Sequence, residues 1–118
     1  MAKLNNETGA IAIPEDVIAK IAGRSATQCY GIVGMAAKKA SDGLVELLNQ
    51  ENYTKGIQVA LTEDGHLTIN MYVIVEYGIS LFAAAEAAID TVKYQVESLT
   101  GLIVDRVNVT IEGIRVNS

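Results

Sequence analysis

The chain has 118 residues, half of them apolar, a formal net charge of −5 and a single cysteine. That length and apolar content suit one domain with its own core and exclude a disordered chain. The acidic balance works against non-specific binding to nucleic acid or anionic lipid, both of which reward Lys and Arg, and one cysteine excludes an internal disulfide or a cysteine-built zinc cluster.

Met1 to Thr8 is polar, with no hydrophobic signal core, so this start is expected to be flexible and the chain to remain in the cytoplasm. Residues 9–118 form the expected domain. Gly9 to Ile13 alternates as a short strand, with Ile11 and Ile13 on one side. Pro14 ends that strand and suits a first helical position, where a missing N–H costs nothing. Glu15 and Asp16 follow at the positive end of the helix dipole. Val17, Ile18, Ile21, Ala22, Cys29, Ile32 and Val33 continue as one stripe, which predicts a helix over 14–35. Gly23 and Gly31 weaken it by about 1 kcal/mol each relative to Ala, so close packing or a break is expected there.

Residues 36–43 form a loop, and Leu44 to Asn49 a short helix. Ile57, Val59 and Leu61 alternate as a half-buried strand, and Glu63-Asp64-Gly65-His66 is a turn, because Asp-Gly tolerates the positive φ a hairpin needs. A long strand follows, with Leu67, Ile69, Met71, Val73, Val75 and Tyr77 on one side. The most strongly patterned element lies between Gly78 and Gly101. Its residues Phe82, Ala85, Ile89, Val92, Val96 and Leu99 are spaced 3, 4, 3, 4, 3, one helical stripe. Ser80 is placed to cap its start and Gly101 to end it. The runs of apolar residues stay below the ~18–20 of a membrane span, Glu86 and Asp90 interrupting the richest one. In the last strand Val107, Val109 and Ile111 face inward, and a change of phase at Gly113 marks a bulge or strand end.

The order is thus strand, helix, strand, strand, helix, strand. The expected fold is α+β: a two-layer sandwich with two long helices on one face of a small mixed sheet. The second helix joins parallel strands by a right-handed crossover.

Chemistry is sparse. His66 lies in the hairpin turn with only Glu63 and Asp64 nearby in sequence, and is expected to be solvated. Cys29 on the apolar stripe is expected to be buried and inert. No zinc pattern, phosphate loop or dinucleotide turn is present, and the acids lack the spacing of a calcium loop, so neither a cofactor nor a metal is expected. Gly31-Ile-Val-Gly34 matches the bare Gly-x-x-Gly of KH domains, which clamp a nucleic-acid backbone between two helices. With Lys38 and Lys39 it forms the candidate nucleic-acid contact of an alternative, RNA-binding reading. The middle residues are Ile and Val where KH domains carry polar or basic ones.

Several segments together resemble one family. They are Gly9-Ala-Ile-Ala-Ile13, Val17-Ile-Ala-Lys-Ile-Ala22, Cys29-Tyr-Gly-Ile-Val-Gly-Met35, Met71-Tyr-Val-Ile-Val-Glu-Tyr-Gly78 and Val107-Asn-Val-Thr-Ile-Glu-Gly-Ile114. Their order and spacing resemble the alkaline-shock protein family, or envelope-stress-response family, of Gram-positive bacteria, in particular its short, YloU-like members. The resemblance covers residues 8–116. It implies a small cytoplasmic protein without enzymatic activity that acts as an interaction or scaffold protein in cell-envelope homeostasis. It also implies protein partners, among them further copies of the chain and a membrane-anchored protein holding it at the membrane periphery, without direct membrane insertion. From the strand pattern, Tyr72 and Ile74, side by side on the sheet face away from the helices, are the candidate protein contact.

Overall fold

The computed structural model describes residues 2–6, 9–36 and 53–116. Strand β1 (Ala2–Asn6) pairs antiparallel with β2 (Gly9–Ile13), forming a hairpin sheet of its own. The sequence pattern had placed a flexible segment at the first of these and a strand of the main sheet at the second. The chain continues through α1 (Glu15–Thr27), β3 (Ile32–Met35), a 3₁₀ turn (Tyr53–Gly56), β4 (Ile57–Leu61), β5 (Leu67–Glu76), α2 (Leu81–Thr100) and β6 (Val104–Arg115).

The main sheet is built around β5. Along one edge β5 pairs antiparallel with β4 (Ile57↔Met71 to Leu61↔Leu67) and then with β3 (Ile32↔Val75 to Met35↔Val73). Along the other edge it pairs parallel with β6 over its whole length, as the crossover through α2 requires. The fold is α+β with a mixed sheet, as expected. Both helices cover one face of it. Leu67, Ile69, Met71, Val73 and Val75 of β5 are fully buried in one cluster with Ile18, Ala22 and Ala26 of α1 and Ala84, Ala88, Val92 and Val96 of α2.

Helix α2 begins and ends where its caps dictate. The Ser80 hydroxyl accepts the Ala83 N–H at 3.2 Å, and Gly101 adopts φ +75°. Its buried line is Ala84, Ala88, Val92, Val96 and Thr100, which shares only Val92 and Val96 with the stripe that the spacing predicts. Phe82 and Leu99 are 78% and 66% exposed, whereas Ala85 and Ile89 are half-buried flanks. The physical reason is the neighbour. Helix α2 packs on α1 as well as on the sheet, and α1 buries Ala19, Ala22, Gly23, Ser25 and Ala26. Small side chains let two helices approach closely, so the alanines turn inward and the bulky residues are left outside.

The helix predicted over 14–35 ends at Thr27. Cys29 N–H bonds the Ala26 carbonyl, Gly31 turns the chain at φ +92°, and Ile32–Met35 joins the sheet. Ile32 and Val33 fit either a helical stripe or a strand, and both are β-branched. The glycine turn and the open hydrogen bonds of β5 decide for the strand. The short helix expected over 44–49 lies outside the described residues.

Candidate functional site

Three segments meet at one end of the molecule: the turn before β3, the end of β5 with the start of α2, and the end of β6. Backbone hydrogen bonds join them. Glu76 N–H donates to the Gly31 carbonyl at 2.9 Å, and Tyr77 N–H to the Arg115 carbonyl at 2.8 Å. A Cβ on Gly31 would stand 2.7 Å from Ile79 Cγ2, so the turn sits directly against the residue that leads into α2. This closure leaves large side chains outside. Tyr30 is 81%, Tyr77 71% and Phe82 78% exposed, with exposed Val116 and the less exposed Leu81 and Ile114 on the same segments. An apolar surface of this kind, carrying two tyrosines and a phenylalanine, is suited to contact with another macromolecule.

A groove of about 320 Å³ runs between α1 and α2, lined by Lys20, Ile21, Arg24, Ser25, Gln28, Gln95 and Leu99. It offers cations and amides but no histidine, cysteine or carboxylate. Buried Ser25 spends its hydroxyl on the Ile21 carbonyl at 2.7 Å, which removes it as a nucleophile.

His66 does have a partner, and it comes from far along the chain. Its Nδ1 lies 2.8 Å from Asp105 Oδ1, where β6 begins beside the hairpin turn. The pair is open to solvent, and the nearby Thr62 hydroxyl accepts the His66 backbone N–H. The arrangement closes the turn against β6. Among the described residues no hydrogen bond joins the paired side chains to a further nucleophile or an oxyanion donor pair. Cys29 is half-buried beyond the end of α1, and its thiol donates to the Ser25 and Ala87 carbonyls, at 3.5 and 3.7 Å. It therefore ties α1 to α2. Among the described residues no group of His, Cys, Asp and Glu is arranged to hold a metal, and no helix is long and apolar enough to cross a membrane.

The sequence-predicted contact residues fare differently. Ile74 has no exposed surface, and Tyr72 is half-buried. The exposure expected for this pair is thereby corrected. Val73, Ile74 and Val75 are buried in succession, which is the mark of a strand enclosed on both faces rather than one with a solvated side. Ile74 lies between Gly34 on β3 and Gly113 on β6, and the strand register shifts beside it on both edges. The Gly31–Gly34 segment is a turn leading into a strand, not a loop between two helices, so it lacks the flanking helices of a KH clamp. Lys38 and Lys39 lie outside the described residues. The exposed aromatics Tyr30, Tyr77 and Phe82 were missed. Their signal was available as three large rings close to Gly31 and Gly78, where the chain turns.

Among curated proteins, the chain is 44% identical to the uncharacterised protein YloU of Bacillus subtilis strain 168, over 98% of this chain and 97% of that one. It is 39% identical to the uncharacterised protein Spy1614 of Streptococcus pyogenes serotype M6, over 97% of this chain and 94% of that one. Identity to a second Bacillus subtilis protein, the uncharacterised YqhY, is 32% over 91% of this chain and 78% of that one. No solved structure matches it. The family profile described as having a cell envelope-related function covers residues 3–116, and on that match and these relatives the chain belongs to the alkaline shock protein 23 family.

Proposed function

We propose that this protein is a non-enzymatic interaction module of the cell envelope, working in the cytoplasm and held at the membrane periphery by a membrane-anchored protein. The observation that carries the reading is the apolar end formed by Tyr30, Tyr77 and Phe82, each more than two-thirds exposed. Supporting it, the described residues of the His66–Asp105 pair and the α1–α2 groove do not include the further groups that acid–base or nucleophilic chemistry requires. The family's description as cell envelope-related supplies the setting. Aromatic rings at such an end present large contact area at low conformational cost, which suits a protein partner.

The test is co-sedimentation of the full chain with membranes from its host. The expected result is retention by native membranes, and none by membranes stripped with protease or by vesicles of extracted lipid. Tyr30→Ser with Phe82→Ser abolishes retention while leaving the thermal midpoint unchanged, because both side chains are exposed. Retention by protein-free vesicles, or full retention of the double variant, would overturn the proposal.

A further inference from the structure

Strand β6 is a long strand at the edge of the main sheet, and its free edge has a particular chemistry. The Tyr72 carbonyl accepts Ala36 N–H, and Glu76 N–H donates to Gly31, so even-numbered residues of β5 turn their backbone groups toward β3 and β4. Odd-numbered ones turn toward β6, as the bonds from Leu67 N–H to the Ile103 carbonyl and from Tyr77 N–H to the Arg115 carbonyl show. In a parallel ladder each such residue bonds the two neighbours of its partner. With Ile69, Met71 and Val73 opposite Val107, Val109 and Ile111, it is Arg106, Asn108 and Thr110 whose backbone groups serve β5. Those of Val107, Val109 and Ile111 point to the free edge, where no described strand pairs with them.

Edges of this length are usually guarded by proline, lysine or inward-pointing charge. The run Val107-Asn-Val-Thr-Ile111 has none of these, and its charges stand at the two ends, at Arg106 and Glu112. Neither has an ion-pair partner among the described residues, and a separation of six steps along the strand sets them ~20 Å apart. Val109 and Ile111 are only half-buried, although they belong to the helix-covered face.

We propose that β6 pairs antiparallel with β6 of a second copy about a two-fold axis through Val109, joining the two main sheets into one. This register places Val109 opposite Val109, and Val107 opposite Ile111, as pairs whose outward N–H and C=O groups satisfy each other. On the other face it sets each Arg106 opposite the partner's Glu112. Moving the axis to Asn108 or Thr110 keeps the backbone bonds but leaves Arg106 facing Thr110 or Ile114, and the charge match is lost. A strand that carries opposite charges equally spaced about one residue is complementary to its own reverse. A second copy is therefore the occupant that its chemistry selects. The inference stands apart from the partner reading above, since it uses a different surface.

Sedimentation equilibrium of the full chain over a wide concentration range tests it. The wild type is expected to be a reversible dimer. Arg106→Glu and Glu112→Arg each turn two attractive pairs into two repulsive ones and raise the dissociation constant on the order of tenfold. An equimolar mixture of these two variants, or the double variant carrying both changes, restores wild-type affinity, because opposite charges again face each other across the axis. Val109→Pro, at a residue whose N–H does not serve β5, gives a monomer with the wild-type circular dichroism spectrum. A chain that stays monomeric throughout would overturn the proposal. So would failure of the charge exchange to restore association, or a dimer weakened by Phe82→Ser and indifferent to Arg106→Glu.

Discussion

Gly31→Ala probes the closure on which the apolar end depends. Two costs arise at this position. The backbone stands at φ +92°, where a Cβ costs about 1–2 kcal/mol. The new Cβ would also lie 2.7 Å from Ile79 Cγ2 and 3.3 Å from Ala84 Cβ, so Ile79 must move. Overpacking of this kind costs about 1–3 kcal/mol. Loss of glycine's freedom in the unfolded chain returns about 0.4–1 kcal/mol. The net destabilisation is about 2–4 kcal/mol, and the thermal midpoint falls by about 8–16 °C for a domain of this size. Gly78 is the internal control. Its φ is +88°, yet a Cβ there meets nothing within 4 Å, so Gly78→Ala carries the backbone cost alone. Chemical denaturation of both variants, with Ile79→Ala in each background, separates the two terms. Truncating Ile79 should recover about 1 kcal/mol or more of the Gly31→Ala loss and none of the Gly78→Ala loss. If Gly31→Ala costs no more than Gly78→Ala, the turn does not rest on Ile79 and the reasoning fails.

Val92, fully buried at the middle of α2, gives a second test. Val92→Asp places a carboxylate in an apolar core without a partner, costs several kcal/mol and leaves too little stability for a folded state, which loss of the circular dichroism signal would report. A third concerns the His66–Asp105 pair, which is partly solvated. A double-mutant cycle with His66→Ala and Asp105→Ala should give a coupling below about 1 kcal/mol by denaturant titration, because exposed ion pairs contribute little.

How far the sequence discloses this fold depends on which forces each residue obeys. Capping is local, and the Ser80 and Gly101 limits of α2 were legible because side-chain hydroxyl and left-handed glycine act within one turn of chain. The β4–β5 hairpin was legible for the same reason, with Gly65 at φ +82° between two alternating strands. The face that α2 buries was not. Periodicity counts Phe82 and Leu99 as core because they are large, whereas the pairing of α2 with α1 selects Ala84 and Ala88 because they are small. Nor was β3, since Ile32 and Val33 satisfy both periods and only the vacant side of β5 chooses between them.

The same distinction explains why the surfaces were harder to read than the core. Tyr72 and Ile74 were placed outward by strand alternation, a rule that holds where one sheet face is open. Burial in succession from Val73 to Val75 shows that β5 does not meet that condition here. Periodicity placed Tyr77 and Phe82 inward and says nothing of Tyr30; all three lie near turns and are exposed, and a hydrogen bond from Glu76 to Gly31 joins their segments, which are distant in sequence. The free edge of β6 is an intermediate case. That Arg106 and Glu112 bracket an uncharged alternating run is visible in the sequence, but any central strand can carry such a run without consequence. It becomes chemistry only when topology gives β6 a single partner among the described strands and directs the amides of Val107, Val109 and Ile111 away from it. Charge pattern states what the edge would pair with, and strand order states that there is an edge. Neither observation alone selects a second copy of the chain, and together they fix its direction and its register.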